Sequence, residues 1–198
     1  MKLLRPFDPE SPDLDAEEVD RLKDRREFGS EAEWAVYQAK VFYEILGDTT
    51  KAIEMLEGVL ASESDNSDLL FCLSECYSRN PDTLDKAWEY CGKGLERDAQ
   101  SDYGYTIQAR VHLAREQPVK AYQSAMNALK LNSGNFEAGV YLGITGFAMA
   151  AAEKDPREME LSIENLRTTL SLNPESRRLQ QVIKENEQYL ERFRQSQG

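Results

Sequence analysis

Three segments of this chain superimpose at a near-constant spacing, and that regularity limits its fold more than any other feature. Lys51-Ala52-Ile53, Lys86-Ala87-Trp88 and Lys120-Ala121-Tyr122 align, and each alanine is followed eight residues later by a leucine: Leu60, Leu95 and Leu129. The intervals are 35 residues from Ala52 to Ala87 and 34 from Ala87 to Ala121. A fourth, looser unit runs from Leu161-Ser162-Ile163 to Leu170, 41 residues further on, and the extra seven fit a longer turn around residues 151–156. Repeats of this length are single supersecondary units. None can cover its own apolar face, so neighbours must stack.

Within the units, apolar residues recur three and four apart, as in Leu56, Val59, Leu60 or Ala121, Ala125, Ala128, Leu129, which is a helical period. No stretch alternates as a strand. Breaks fall at Gly47-Asp48, residues 62–66, Asn80-Pro81-Asp82, residues 98–102 and Asn132-Ser133-Gly134-Asn135. Ser30 with Glu33 reads as a capping box whose carboxylate returns to the Ser30 amide. Asp155-Pro156 supplies a cap and a first-turn proline, and Asn173-Pro174 opens a last helix reaching about residue 194. Ser11-Pro12 begins a charged arm helix that stops near Phe28-Gly29. The expected fold class is all-α. An arm over 1–29 precedes four helix hairpins (31–66, 67–101, 102–134, 135–174), and a capping helix over 175–198 follows.

The aligned sets are Ala52, Leu56, Val59, Leu60; Ala87, Cys91, Gly94, Leu95; Ala121, Ala125, Ala128, Leu129; and Ser162, Leu166, Thr169, Leu170, Pro174. With the Gly47-Asp48 turn and the Tyr141-Leu142-Gly143 step, they resemble the tetratricopeptide repeat (TPR) family over about residues 31–174. The resemblance implies a right-handed superhelix of stacked antiparallel helix pairs, whose first helices line a concave groove that binds a partner polypeptide. It places Trp34, Tyr37 and Val41 on that wall, then Phe71, Cys72 and Glu75, then Tyr103, Ile107 and Arg110, then Val140, Tyr141, Ile144 and Phe147. Such a wall is largely apolar and aromatic. It suits a helical or extended apolar segment of another protein, with aromatic side chains as anchors; the same residues also serve as ordinary core between helices. The branch of the family that clamps a terminal carboxylate with Lys and Asn donors is disfavoured, since its positions correspond here to Tyr37, Val41, Cys72, Tyr103 and Thr106. Glu17-Glu18-Val19-Asp20 repeats the tail those clamps grip, but it is internal and has no free carboxylate.

Charge narrows the partner further. Acidic residues outnumber basic ones 36 to 24, for a net charge of −12. Nucleic acid and anionic membrane surfaces both select a basic footprint, so neither is expected. Residues 31–98 hold 15 acids and 6 bases, and residues 99–134 hold 2 and 4. That asymmetry suits a partner with basic residues facing the first two units, or simply a solvated acidic surface. The longest uncharged run, 138–152, has 15 residues, short of the roughly 20 a membrane span needs. Three cysteines and no apolar leader fit a cytoplasmic protein.

Little catalytic chemistry is available. His112 is the one histidine, and no phosphate loop, nucleophile elbow or dinucleotide fingerprint is present. Cys72, Cys76 and Cys91 match no compact zinc spacing with it. No catalytic residue, metal or cofactor is expected. The reading is a non-enzymatic adaptor or scaffold within a larger assembly, with a dedicated secretion or assembly chaperone as the alternative. Leu3, Leu4 and Phe7 give the arm an apolar tip, which either docks in a groove (its own or a neighbour's) or caps the stack. An open-ended stack with such an arm also permits a homo-oligomer.

Overall fold

Short polar side chains decide where the helices begin. The structure, a computed structural model, describes residues 28–197. Ser30 caps α1 (Glu31–Lys40), which continues into a π-helical turn, Val41–Ile45. Asp48 caps α2 (Thr49–Leu60), Asn66 caps α3 (Ser67–Tyr77), and a short 3₁₀ turn, Pro81–Thr83, leads into α4 (Leu84–Arg97). Ser101 caps α5 (Asp102–Ala114), and Pro118 opens α6 (Pro118–Leu131). Asn135, Asp155 and Ser176 cap α7 (Phe136–Glu153), α8 (Pro156–Leu170) and α9 (Arg177–Gln195). Each cap accepts from an amide of the first turn that has no partner inside the helix. The described residues contain no strand. The arm helix and the Leu3, Leu4 and Phe7 tip lie outside the described residues.

Two local expectations need correction. The Glu33 carboxylate accepts from the Gly29 amide at 2.9 Å rather than from Ser30, because Ser30 is already extended at the cap. The last helix starts at Arg177 and not at Asn173-Pro174: Ser176 accepts from the Leu179 amide, and Asn173 belongs to the turn that ends α8.

The repeat is visible as packing. Ala52, Ala87 and Ala121 are each the fourth residue of α2, α4 and α6, and each is fully buried. One turn on, Leu56, Cys91, Ala125 and Leu166 are fully buried as well. An alanine brings the paired helices close, and the residue a turn later fills the space behind it, at about 1.5–3 kcal/mol for a leucine. Helices pair as α1 with α2, α3 with α4, α5 with α6 and α7 with α8, and α9 covers α8. The first helices also lie side by side, α1 on α3, α3 on α5 and α5 on α7, forming one continuous wall. α3 is at its centre, and every residue from Leu69 to Ser78 is buried, which suits a helix apolar on most of its circumference.

Glycines set the closest approaches. A Cβ on Gly94 or Gly104 would fall inside the Phe71 ring, and one on Gly143 would fall inside the Leu166 side chain. Gly143→Ala is expected to cost about 1–3 kcal/mol by overpacking. The unfolding midpoint checks this; an unchanged midpoint would show that α7 and α8 do not meet at this point.

Candidate functional site

The first helices bring charged and hydroxyl side chains together around one buried carboxylate. Lys40 ends α1, and Tyr43 and Glu44 lie in the π turn after it. Glu75 is on α3, with Arg79 four residues on. Tyr103 and Arg110, seven apart, come from α5; Glu137 and Tyr141, four apart, come from α7. Spacings of four and seven keep side chains on one helix face.

Glu75 is the hub. It is 2% exposed. One carboxylate oxygen accepts from the hydroxyls of Tyr43 and Tyr103, both at 2.8 Å. The other accepts from Arg110 at 3.0 Å and lies 3.7 Å from Arg79. Burial by itself would push this carboxyl up, but Arg110, Lys40 and the two tyrosine hydroxyls outweigh it and hold its pKa below the usual carboxylate range. Burial and the Glu75 charge push both tyrosines well above theirs, so they remain donors. The Lys40 ammonium lies 4.7 Å over the Tyr103 ring, and the Arg79 guanidinium lies 4.5 Å over the Tyr43 ring.

Two acids at this surface are not engaged in that way. Glu44 is half-buried in the π turn, and Glu137 is exposed. Among the described residues neither accepts a hydrogen bond or makes an ion pair. Burial pushes the Glu44 carboxyl up, Glu75 pushes it further, and it titrates at about 7 although Lys40 and Arg79 oppose the shift. Desolvation, with the Glu75 charge, raises Glu137 in the same direction, against Arg110 and Lys40.

The effect on stability has a definite sign. Glu44 holds its proton more tightly folded than unfolded, where the value is 4.5. Its contribution is therefore present in acid and is lost as the pH rises from about 4.5 through 7. Glu75 acts in the opposite direction: its contribution is lost as the pH falls through its depressed value. Thermal unfolding of Glu44→Gln is expected to show a flatter decline between pH 5 and pH 8 than the parent chain. Equal slopes would mean that Glu44 titrates normally.

The wall read from sequence is brought together only in part. Tyr103 and Arg110 meet at Glu75, and Tyr141 lies near Arg110. Trp34 and Tyr37 form an aromatic group with Phe28, at ring separations of 4.9 and 5.1 Å. Phe71 and Ile107 are fully buried behind the wall, and Val41 and Phe147 are nearly so, at 6% and 7% exposed. Ile144 packs with Phe147 on the α7–α9 core. In the first hairpin the groups around Glu75 are Lys40, Tyr43 and Glu44, one to three positions from Val41, where a π turn ends the 3.6-residue period. The centre of the wall is consequently polar where an apolar surface was expected.

The remaining candidates lie elsewhere. Cys72, Cys76 and Cys91 are buried free thiols, and no group of His, Cys, Asp and Glu among the described residues could hold a metal. His112 hydrogen-bonds Gln117 at 3.0 Å and packs on Trp88. No helix among the described residues is long and apolar enough to cross a membrane.

No protein-family model matches the sequence, and no curated protein matches it. Solved structures do match. TTC0263, a thermophilic TPR protein of Thermus thermophilus, aligns with a TM-score of 0.65 at 16% identity, over 81% of this chain and 84% of that one. A MamA structure aligns with a TM-score of 0.54 at 19% identity over 81% and 87%, and another MamA structure aligns at 0.54 and 18% over 86% and 96%. At these identities the likeness concerns backbone architecture, and it agrees with the 34-residue spacing, the buried alanines and the side-by-side first helices. The chain has the all-α tetratricopeptide-repeat fold.

Proposed function

We propose that this chain is a non-enzymatic interaction adaptor that holds a segment of a partner polypeptide in the trough lined by α1, α3, α5 and α7. The observation that carries this reading is the Glu75 network. It ties three of the four first helices together through hydrogen bonds and fixes Tyr103 and Arg110 before any partner arrives. Preformed contacts reduce the ordering cost of association, and tyrosine and arginine are frequent anchors of binding energy. The polar floor suits a polar or amphipathic segment better than the wholly apolar client of a dedicated chaperone. The adaptor works in the cytoplasm as part of a larger assembly, uses no cofactor and engages neither nucleic acid nor a membrane.

Selection of displayed random twelve-residue peptides tests the reading. Peptides enriched on the parent chain are expected to bind Arg110→Gln and Tyr141→Ala at least tenfold more weakly, equivalent to about 1.4 kcal/mol each. Trp88→Ala, on a second helix, is expected to leave them unchanged. Peptides sensitive to Trp88 and indifferent to both trough variants would move the site to the other side of the stack.

A further inference from the structure

We propose that the chain's own residues 1–27 cap the open end of the stack, seating Leu22 and its apolar neighbours on the Trp34–Tyr37–Val41 face of α1 and closing that face to a second copy. The trough itself stays open to a partner.

Burial on α1 points to an occupant. α1 packs on α2, on α3 and on the turn that follows it, so its remaining side would face water in an uncapped stack. Ala32, Ala35 and Ala39 join the core that Leu56, Phe71 and Ile107 build. Trp34, Tyr37 and Val41 repeat the same spacing two residues on, which places them about 160° round the helix. That side is nonetheless covered. Trp34 and Tyr37 are half-buried, Val41 is 6% exposed, and no residue from Trp34 to Ile45 is exposed. Among the described residues Val41 belongs to neither of the two apolar cores.

The segment before α1 is placed to cover it. The Phe28 ring lies 4.9 Å from that of Trp34 and 5.1 Å from that of Tyr37, so the backbone at Phe28 already runs back beside α1. The Gly29 amide donates to Glu33 at 2.9 Å and holds the turn. A helix leading back from Phe28 reaches Leu22 after six residues, about 9 Å, while α1 reaches Val41 seven residues past Trp34, about 10 Å. The two side chains arrive level. Leu22 is three residues from Val19 and eight from Leu14, spacings that keep all three on one side of a helix. Nearly all the rest of 13–26 is charged.

Charge agrees with this placement. Residues 21–26 hold four bases and one acid, and the first hairpin, 31–66, holds 8 acids and 2 bases. Opposite charges around an apolar contact fix its register. A stack of repeats needs terminal units with a polar outer face, because an uncovered apolar end adds to the next molecule. α9 meets that need at one end: Leu179, Ile183 and Leu190 are buried, and charged residues fill much of the rest of the helix. The arm is its counterpart at the other end.

Leu22→Cys/Val41→Cys tests the register in the full chain, whose own three thiols are buried. Mild oxidation is expected to give an intrachain disulfide. Leu22→Cys/Leu161→Cys, with its second thiol on the exposed side of α8, is expected to close about tenfold more slowly, by chance encounter alone. Val19→Asp/Leu22→Asp is expected to open the α1 face. Trp34, read in a Trp88→Phe background, then becomes more accessible to acrylamide, and a chain that sediments as a monomer at micromolar concentration self-associates. Peptides selected on the parent are expected to bind this variant unchanged. Equal rates for the two cysteine pairs would overturn the proposal, and so would unchanged quenching of Trp34. A disulfide joining two chains would assign the α1 face to a second copy instead. An exposed Trp34 in a chain that stays monomeric would overturn the capping role, and tighter peptide binding by the aspartate variant would place the arm in the trough.

Discussion

Glu75→Leu will lower the unfolding free energy by about 3–5 kcal/mol, the usual result of removing one member of a buried charged network. The loss comes from the groups left behind. Tyr43 and Tyr103 donate to the same carboxylate, and Arg110 is bound to its other oxygen. Once Glu75 is gone, two hydroxyls lose their acceptor and a largely buried guanidinium loses its counter-charge. For a chain of this size, the midpoint falls by roughly 2–4 °C per kcal/mol. Glu75→Gln keeps an acceptor oxygen but not the charge, and it is expected to fall between the parent and the leucine variant. By comparison, Arg167→Ala removes the exposed pairs with Glu164 and Glu187 on the outer face and should change stability by less than about 1 kcal/mol. Denaturant titration followed by circular dichroism separates these outcomes. A leucine variant as stable as the parent would show that the carboxylate is not the centre of the wall.

Phe71→Ala is expected to cost about 3–5 kcal/mol, the range for emptying an aromatic site in a core. The ring is fully buried and fills the space left by two glycines on neighbouring helices, Gly94 of α4 and Gly104 of α5. It also meets the Tyr103 ring edge-on at 6.0 Å. Phe71 and Gly104 are therefore coupled. Gly104→Ala should destabilise the parent by about 1–3 kcal/mol through overpacking, but it should cost less in Phe71→Ala, where the added methyl enters the vacated volume. A double-mutant cycle measures this directly. Additive losses would mean that Phe71 and Gly104 do not share that space.

These two residues illustrate what the sequence revealed and what it concealed. Ala52, Ala87 and Ala121 stand at equivalent, fully buried places because a repeat imposes one packing solution several times, and any periodic signal reports it. Ser30 and Asp155 are legible for a different reason, since a cap acts within one turn. The trough was harder to read. Phe71 and Ile107 share a helical spacing with true wall residues, and only tertiary packing separates a side chain facing the groove from one facing the next helix. The π turn at Val41–Ile45 has no sequence signature that counting by 3.6 would detect. One signal is present: Glu75 lies inside Leu69-Leu70-Phe71-Cys72-Leu73-Ser74-Glu75-Cys76-Tyr77, and a charge within a largely apolar helix is rarely left buried without partners. Its partners, Tyr43, Tyr103 and Arg110, are 28 to 35 residues away. The repeat length brings them together, although neither the local pattern nor the composition names them.

Amide hydrogen exchange on the full chain, with and without a peptide selected on it, reads the location of the occupant most directly. Slowed exchange is predicted in the turn at Val41–Ile45 and along the facing turns of α3, α5 and α7, with α2, α4, α6 and α8 unaltered. Slowing confined to those second helices, with the first helices unchanged, would contradict the account.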